Sequence, residues 1–360
     1  MKVLMLSGAS SIHTIRWANG LADAGIDVML VSQHRPIEPV DPRVDLRMLP
    51  HLGGLGYFLN GPKVSRLIAN YAPDVVNVHY ASGYGTLGRW IKHVPYLLSV
   101  WGSDVYDFPY NSPLHRHLLV GNLKKADVIA STSHAMANQV RALCPDIEDI
   151  AITPFGVDIN RFRPIPTDKS SDKLVIGTVK VLAEKYGVDT LLRAFAILRD
   201  RMTEGVRENL ELELRIVGDG PQREELERLA ETLGIKESTT FVGRVQHDQV
   251  PGHLAQFDIY CAFSRLDSES FGVAVIEASA CGIPVVVSDA GGLPEVVLEG
   301  RTGFVVPRNS PAEAAIAMEK LAFSPDIRRQ MSEAAVEHVK RKYEWGECVK
   351  LMQTLLENTV

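Results

Sequence analysis

Short apolar runs, alternating with helical patterns from end to end of a 360-residue chain, restrict the fold more than any other feature of this sequence. In the first half the runs are 2–7, 26–31, 75–80, 96–101 and 128–132. Between the first two, Thr14–Ala24 repeats apolar residues at helical spacing (Ile15, Ala18, Leu21, Ala22) and closes at Gly25. Strands that alternate with helices pair in parallel through right-handed crossovers. Arg161–Lys173 is polar, carries two prolines and lacks periodicity, so it reads as a linker. The pattern then resumes, with runs at 174–179, 212–217, 239–242, 259–263, 283–288 and 303–306 and a clear helical period at Gln222–Leu233. The tail from Pro311 holds only helical patterns, at 312–322, 326–341 and after Trp345. Two α/β units of similar size follow. In such sheets ligands bind beyond the carboxyl ends of the strands. Two sheets facing each other put the expected site in the cleft between them.

Charge narrows the partners. The formal net charge of −6 speaks against a nucleic-acid binder, which carries a basic footprint. Residues 1–165 hold 15 Lys/Arg against 13 Asp/Glu, with eight of the 11 histidines, whereas residues 166–360 hold 23 against 31. Either the two halves meet different partners, or the difference is the scatter common between domains. No apolar run approaches the ~20 residues of a membrane span. The amino terminus reads as a short strand rather than a leader. Cys144, Cys261, Cys281 and Cys348 lack metal or disulfide spacing. A cytoplasmic enzyme is the expectation.

Gly83-Tyr84-Gly85-Thr86-Leu87-Gly88 is the only G-x-G-x-x-G in the chain, and it follows a later strand, so it reads as a tight strand-to-helix turn. Gly8, after the first run, offers a turn without a side chain where backbone amides can approach an anion. The richest segment is Arg265–Gly282. A loop with Ser268, Glu269 and Ser270 leads into a helical run (Val273, Ile276, Ala280), with Ser268 or Ser270 as its expected cap. The amides of Phe271, Gly272 and Val273 then form a seat for a diphosphate. Glu269 and Glu277 would repel that phosphate, so they are expected to accept from hydroxyls instead. Lys180 and Lys185 bracket the turn after 174–179 and can neutralise a diphosphate and the charge that develops on it. Gly218-Asp219-Gly220-Pro221 and Gly291-Gly292-Leu293-Pro294-Glu295 are further turns, the first with Pro221 suited to a first helical turn. D-x-D and H-E-x-x-H are both absent from the sequence, so no metal site and no cofactor beyond the substrates is expected.

These residues carry a family resemblance. Glu269-Ser-Phe-Gly-Val-Ala-Val-Ile-Glu277 resembles the E-x7-E motif of retaining GT-B glycosyltransferases of family 4, and Ala278–Val286, Gly291–Glu295, Thr302-Gly303 and Gly218–Pro221 also resemble that family. The resemblance implies an α/β GT-B fold, with two Rossmann-like domains whose parallel sheets face each other across a deep cleft. It implies an acceptor-binding domain at 1–165, completed by a returning helix at 343–360, and a nucleotide-sugar domain at 166–342. It also implies a role for each matching residue. Glu269 would bind donor-sugar hydroxyls and Glu277 the ribose diol. Phe271, Gly272 and Val273 would meet phosphates and sugar, joined by Lys180, Lys185, Gly8 and Gly218, while Arg244 and Val245 would touch the nucleobase. Lys180 stands where arginine is commoner, which keeps the charge without the bidentate fork. Trp101 stands where many members have histidine, and an indole cannot titrate. Asp104, His13 and His134 are further acceptor-side candidates, with a helix cap as the other reading of Asp104.

The expected reaction moves a sugar from a nucleotide diphosphate to an acceptor hydroxyl, with Glu269, Lys185 and Lys180 carrying the chemistry. A nucleotide-sugar epimerase and a non-catalytic carbohydrate-binding protein are the alternatives. His51–Phe58 and Tyr106–Tyr110, followed by His115-Arg116-His117 and Lys124-Lys125, set aromatic and aliphatic groups beside cations. That mixture suits a lipid-linked acceptor and peripheral contact of the first domain with the inner membrane face; the other reading is that the same residues pack the first domain's core and the acceptor is a small soluble sugar or glycan.

Overall fold

The computed structural model describes residues 1–166, 172–203 and 210–360. Of the expected linker at 161–173, residues 167–171 lie outside the described residues. The chain forms two compact units, Met1–Gly156 with Gly346–Val360, and Val157–Trp345.

The first unit is built on β1 (Lys2–Leu6), β2 (Asp27–Ser32), β3 (Asp45–Met48), β4 (Val75–His79), β5 (Tyr96–Val100), β6 (Val128–Ser131) and β7 (Ile150–Ile152). They pair in parallel in the order β3-β2-β1-β4-β5-β6-β7. The central strands are continuous apolar runs because helices cover both faces; Val3, Leu4, Met5 and Leu6 are wholly buried. β3 and β7 are the two strands that no apolar run announces. They are edge strands, only partly buried, so an all-apolar sequence is not required of them. The helix Ile12–Asp23 ends before Gly25, whose φ of +82° provides the left-handed stop.

Gly83–Gly88 forms a short helix, and its glycines serve packing. A Cβ on Gly83 would lie 2.4 Å from the Tyr57 ring, and one on Gly88 2.3 Å from the Tyr96 hydroxyl oxygen. The final helix, Trp345–Thr359, buries Cys348, Val349, Met352 and Leu356 on one stripe. Its Met352 Sδ accepts from Asn77 Nδ2 at 3.9 Å, which ties it to β4.

The second unit is built on β8 (Lys173–Val179), β9 (Glu211–Val217), β10 (Thr239–Gly243), β11 (Ile259–Ala262), β12 (Val285–Ser288) and β13 (Gly303–Val306). They are parallel in the order β10-β9-β8-β11-β12-β13. The unit begins at Val157 because that residue pairs with the far end of the same segment: its N–H donates to the Tyr343 carbonyl at 2.8 Å, and its carbonyl accepts from Trp345 N–H at 3.0 Å.

In both sheets the strand order reverses beside the first strand, between β1 and β4 and between β8 and β11. The crevice at such a reversal is where doubly wound sheets bind ligands. Gly8 follows β1, and Lys180 follows β8.

Candidate active site

In the second unit the two strands at the reversal deliver opposite charges to one point. Lys180 Nζ, just past β8, lies 2.6 Å from Glu269 Oε2, in the loop after β11. The same carboxylate oxygen accepts from Ser264 Oγ at 3.1 Å. The Lys180 ammonium also sits 4.5 Å from the centre of the Tyr186 ring, and Lys185 Nζ lies 4.9 Å from the same ring. Tyr186 thus draws the two lysines together through cation–π attraction.

The glycine-rich turns explain how these groups are held. Gly218 has φ +141°, and a Cβ there would lie 1.9 Å from the Lys180 carbonyl. Lys180 N–H donates to the Val217 carbonyl and Leu182 N–H to that of Asp219, so the 218–220 turn supports the lysine loop. Pro221 precedes the helix rather than entering it, since Gln222 is the N-cap of Arg223–Thr232. In the same way a Cβ on Gly292 would lie 2.2 Å from the Ser270 carbonyl, and Gly292 N–H donates to the Glu269 carbonyl at 2.9 Å. The Gly-Gly turn therefore supports the Glu269 loop from beneath.

Neither Ser268 nor Ser270 caps the helix that follows. The N-cap of Val273–Ala280 is Gly272, at φ +95° and without a side-chain cap bond. A Cβ at Gly272 would meet Leu293 Cδ2 at 2.7 Å, so the left-handed turn needs glycine. The first amides of such a helix have no acceptor within it, which leaves an anion seat at its positive end. Phe271 is buried edge-on to Tyr343, with ring centres 5.6 Å apart, so its backbone rather than its ring faces the seat.

Glu277 is buried on that helix, and its Oε1 accepts from His247 Nε2–H at 2.9 Å. His247 in turn packs beside Phe162, 5.6 Å between ring centres. Lys180, Tyr186, Gly218, Arg244, Val245 and His247 line a common cavity of about 360 Å³. The structure therefore gathers Lys180, Lys185, Gly218, Arg244, Val245, Glu269 and Glu277 around one end of one sheet.

Sequence reading missed Tyr186, His247, Ser264 and Arg308. Arg308 bonds to Asp267 at 2.9 Å, to Asp289 at 3.1 Å and to the Arg265 carbonyl at 3.2 Å, pinning the loops after β11 and β12 to each other. His247 and Arg308 join the motif only across strands, so no spacing links them to it, whereas Ser264 lies in the Glu269 loop and Tyr186 follows Lys185, where neither residue type announces a role.

In the first unit Gly8 faces Tyr84 and His34, and a Cβ there would be 3.4 Å from each, an ordinary contact. Tyr84 hydroxyl bonds to His34 Nδ1 at 2.8 Å and accepts from Gln33 N–H at 3.2 Å. His13 stacks on Phe155 at 4.3 Å, and Trp101 lies edge-on to Phe155 at 5.6 Å and tilted over His79 at 4.6 Å. His134 is exposed at the start of its helix.

Asp104 requires a correction. It is wholly buried, and its carboxylate accepts from the N–H groups of Ala81 at 2.8 Å, Gly102 at 2.7 Å and Trp101 at 3.2 Å. Its oxygens hold two strand-end loops, which leaves the acceptor role to others. Burial pushes its carboxyl above the usual range, against those amide bonds. Among the described residues no three His, Cys, Asp or Glu side chains are grouped to hold a metal ion, and no helix is long and apolar enough to cross a membrane.

Comparison with known proteins identifies the fold and the family. Residues 161–338 match the family described as Glycosyl transferases group 1, and residues 2–133 the one described as Glycosyl transferase 4-like. A GDP-mannose-dependent alpha-(1-6)-phosphatidylinositol monomannoside mannosyltransferase of Mycolicibacterium smegmatis is 31% identical over 239 residues, 63% of this chain and 60% of that enzyme. The match thus spans less than two thirds of that relative's length. A D-inositol 3-phosphate glycosyltransferase of Corynebacterium jeikeium is 30% identical over 309 residues, 79% of this chain and 72% of that one. The structure of Anabaena HepE in complex with UDP superposes with a TM-score of 0.83 at 19% identity, covering 99% of both chains. The fold is GT-B. The chain belongs to the group 1 glycosyl transferases.

Proposed function

We propose that this protein transfers a sugar, with retention at the anomeric carbon, from a nucleotide-diphosphate sugar to a hydroxyl of a glycan or lipid-linked acceptor. The Lys180–Glu269 pair at the strand-order reversal carries the reading, because it sets a diphosphate cation and a hydroxyl acceptor side by side. The second unit takes the donor, with the ribose diol on Glu277 and the base beside Arg244 and Val245. Lys180, Lys185 and the amides of 271–273 meet the diphosphate, so that cationic side chains and helix amides do what a resident metal ion does in other transferases. Glu269 receives the sugar hydroxyls. In the first unit His13, Trp101 and His134 serve the acceptor, and Gly8 offers its backbone to a phosphate.

In the step itself the bond from the anomeric carbon to the phosphate oxygen breaks, leaving charge on the diphosphate. The acceptor oxygen attacks from the same face, and its proton passes to the departing phosphate oxygen. Lysine charge that stabilises the departing group more than the bound donor raises turnover. Trp101 stacks and shields the reacting centre, since an indole exchanges no proton at neutral pH.

UDP is the ligand of HepE, and phosphatidylinositol mannosides and inositol phosphate appear in the relatives' names, so uridine and guanosine donors with inositol-containing or lipid-linked acceptors form the first panel. The enzyme is proposed to work in the cytoplasm at a membrane face. Mass spectrometry of products from that panel tests the reading. A new glycoside formed only when acceptor is present supports it. Isomerised nucleotide sugar without acceptor would show an epimerase instead.

A further inference from the structure

We infer that the first unit docks on an anionic lipid bilayer through the short helix Gly53–Leu59 and the cations beside it; the inference rests on the membrane-linked acceptor proposed above. The inner side of this helix is locked. Asn60 Oδ1 accepts from His51 N–H at 3.1 Å while its Nδ2 donates to the His51 carbonyl at 2.7 Å. A Cβ on Gly56 would lie 2.4 Å from that carbonyl, and the Tyr57 ring lies against Gly83 and edge-on to Tyr84, 5.3 Å between centres. The outer side is apolar and bare. Leu52, Leu55, Phe58 and Leu59 are all exposed, Leu55 to 74%. Gly53 and Gly54 add no bulk beside them, and no atom lies within 4 Å of where their Cβ atoms would be.

Single exposed leucines are ordinary, but three large apolar side chains on one locked helix and a fourth, Leu52, at its N-cap form a patch that calls for an occupant. The second aromatic segment found in the sequence is different: Tyr106 and Phe108 pack on the core of the unit, and Lys124 is paired with Asp146 at 2.6 Å.

Charge decides the occupant. Trp90 is exposed beside the patch, its indole packed over Gly61 and its carbonyl accepting from Ser65 Oγ at 3.3 Å. The helix Gly61–Tyr71 presents Lys63 and Arg66 to solvent, and Lys92 follows Trp90. Asp45 pairs with Arg47 at 2.8 Å, and from Met48 to Ser103 the chain holds four Lys/Arg and a single acidic residue, Asp74, whose carboxylate accepts from Lys2 N–H at 2.7 Å. Apolar side chains that enter the acyl boundary, an indole at headgroup depth and cations facing lipid phosphates match an anionic bilayer. A stable protein partner would need ~800 Å² of surface from this side, more than five side chains provide.

The test is flotation of the full chain with vesicles of phosphatidylcholine and phosphatidylglycerol at about 60:40, against pure phosphatidylcholine, at low and high salt. Binding to the anionic vesicles that fades with salt is expected. Leu55→Glu/Phe58→Glu and Lys63→Glu/Arg66→Glu are each expected to weaken it by about tenfold or more. All four side chains are exposed, so folding is preserved, and nucleotide affinity by calorimetry, in which none of the four takes part, should be unchanged. The inference is overturned if the wild-type chain does not float at low salt, or if either variant floats as well as wild type. It is equally overturned if Leu55→Glu/Phe58→Glu dissociates a dimer while vesicle binding persists. Sugar transfer without flotation sinks docking alone; flotation without transfer to any acceptor sinks the transferase reading and leaves docking standing.

Discussion

Lys180 Nζ and Glu269 Oε2 lie 2.6 Å apart although they come from separate strands, and both side chains are more than four-fifths buried. The fold thus brings a cation and a carboxylate together at the cost of burying both charges. A buried carboxylate that loses its cation retains its desolvation penalty. Lys180→Met should therefore destabilise the second unit by about 1–3 kcal/mol, because only Ser264 remains on Glu269. The double variant Lys180→Met/Glu269→Gln should recover part of that loss. Denaturant unfolding of the four proteins of the cycle measures it, and additive losses would show that the two groups do not interact.

Glu277→Ala should weaken donor binding by roughly 1.5–3 kcal/mol, because a diol would lose a charge-assisted acceptor. His247 would lose its carboxylate partner in the same variant. Titration calorimetry with nucleoside diphosphates checks this; unchanged affinity in a folded variant removes Glu277 from the donor site.

Under the proposed mechanism, in which the Lys185 charge is worth more to the departing diphosphate than to the bound donor, Lys185→Ala should lower kcat by roughly 10²-fold or more. Steady-state rates separate the outcomes. A change confined to KM would assign Lys185 to donor binding without transition-state preference.

Gly218→Ala would force a Cβ to within 1.9 Å of the Lys180 carbonyl at a φ of +141°. Unfolding of the variant should show a loss of about 2 kcal/mol or more, and donor affinity should fall with it as the lysine loop shifts. A variant of wild-type stability and affinity would mean that the turn does not position Lys180.

Stability should fall on acidification below neutral. Burial lowers His79 from 6.5 to about 3, and burial with Lys342, Arg341 and Arg301 nearby lowers His338 from 6.5 to about 4. Between those values and 6.5 the unfolded chain binds protons that the native chain refuses, so the neutral rings stabilise the fold above pH ~6.5 and lose that contribution as pH drops. Melting temperatures from pH 7.5 to 5 should decline, and His79→Phe should flatten the decline in the first unit. An equal slope in wild type and variant would contradict the buried neutral imidazole.

Much of this protein was written locally. Central strands buried on both faces must be continuous apolar runs, so β1, β4, β5, β8, β11 and β12 stood out without any tertiary information. Glu269 and Glu277 were legible too, because a loop and the helix it enters fix their spacing. What the tertiary structure alone decided was partnership. β3 and β7 are recognised only by the neighbour each pairs with. In sequence Asp104 reads equally as an acceptor ligand or a helix cap, and only the fold shows its carboxylate accepting from three amides of two converging loops. His247 meets Glu277 from thirty residues away, and Arg308 joins two loops that share no motif. Local sequence sets which backbone conformation and which burial a segment can sustain. Contacts between segments depend on the order in which the strands lie side by side, and that order is a property of the folded sheet.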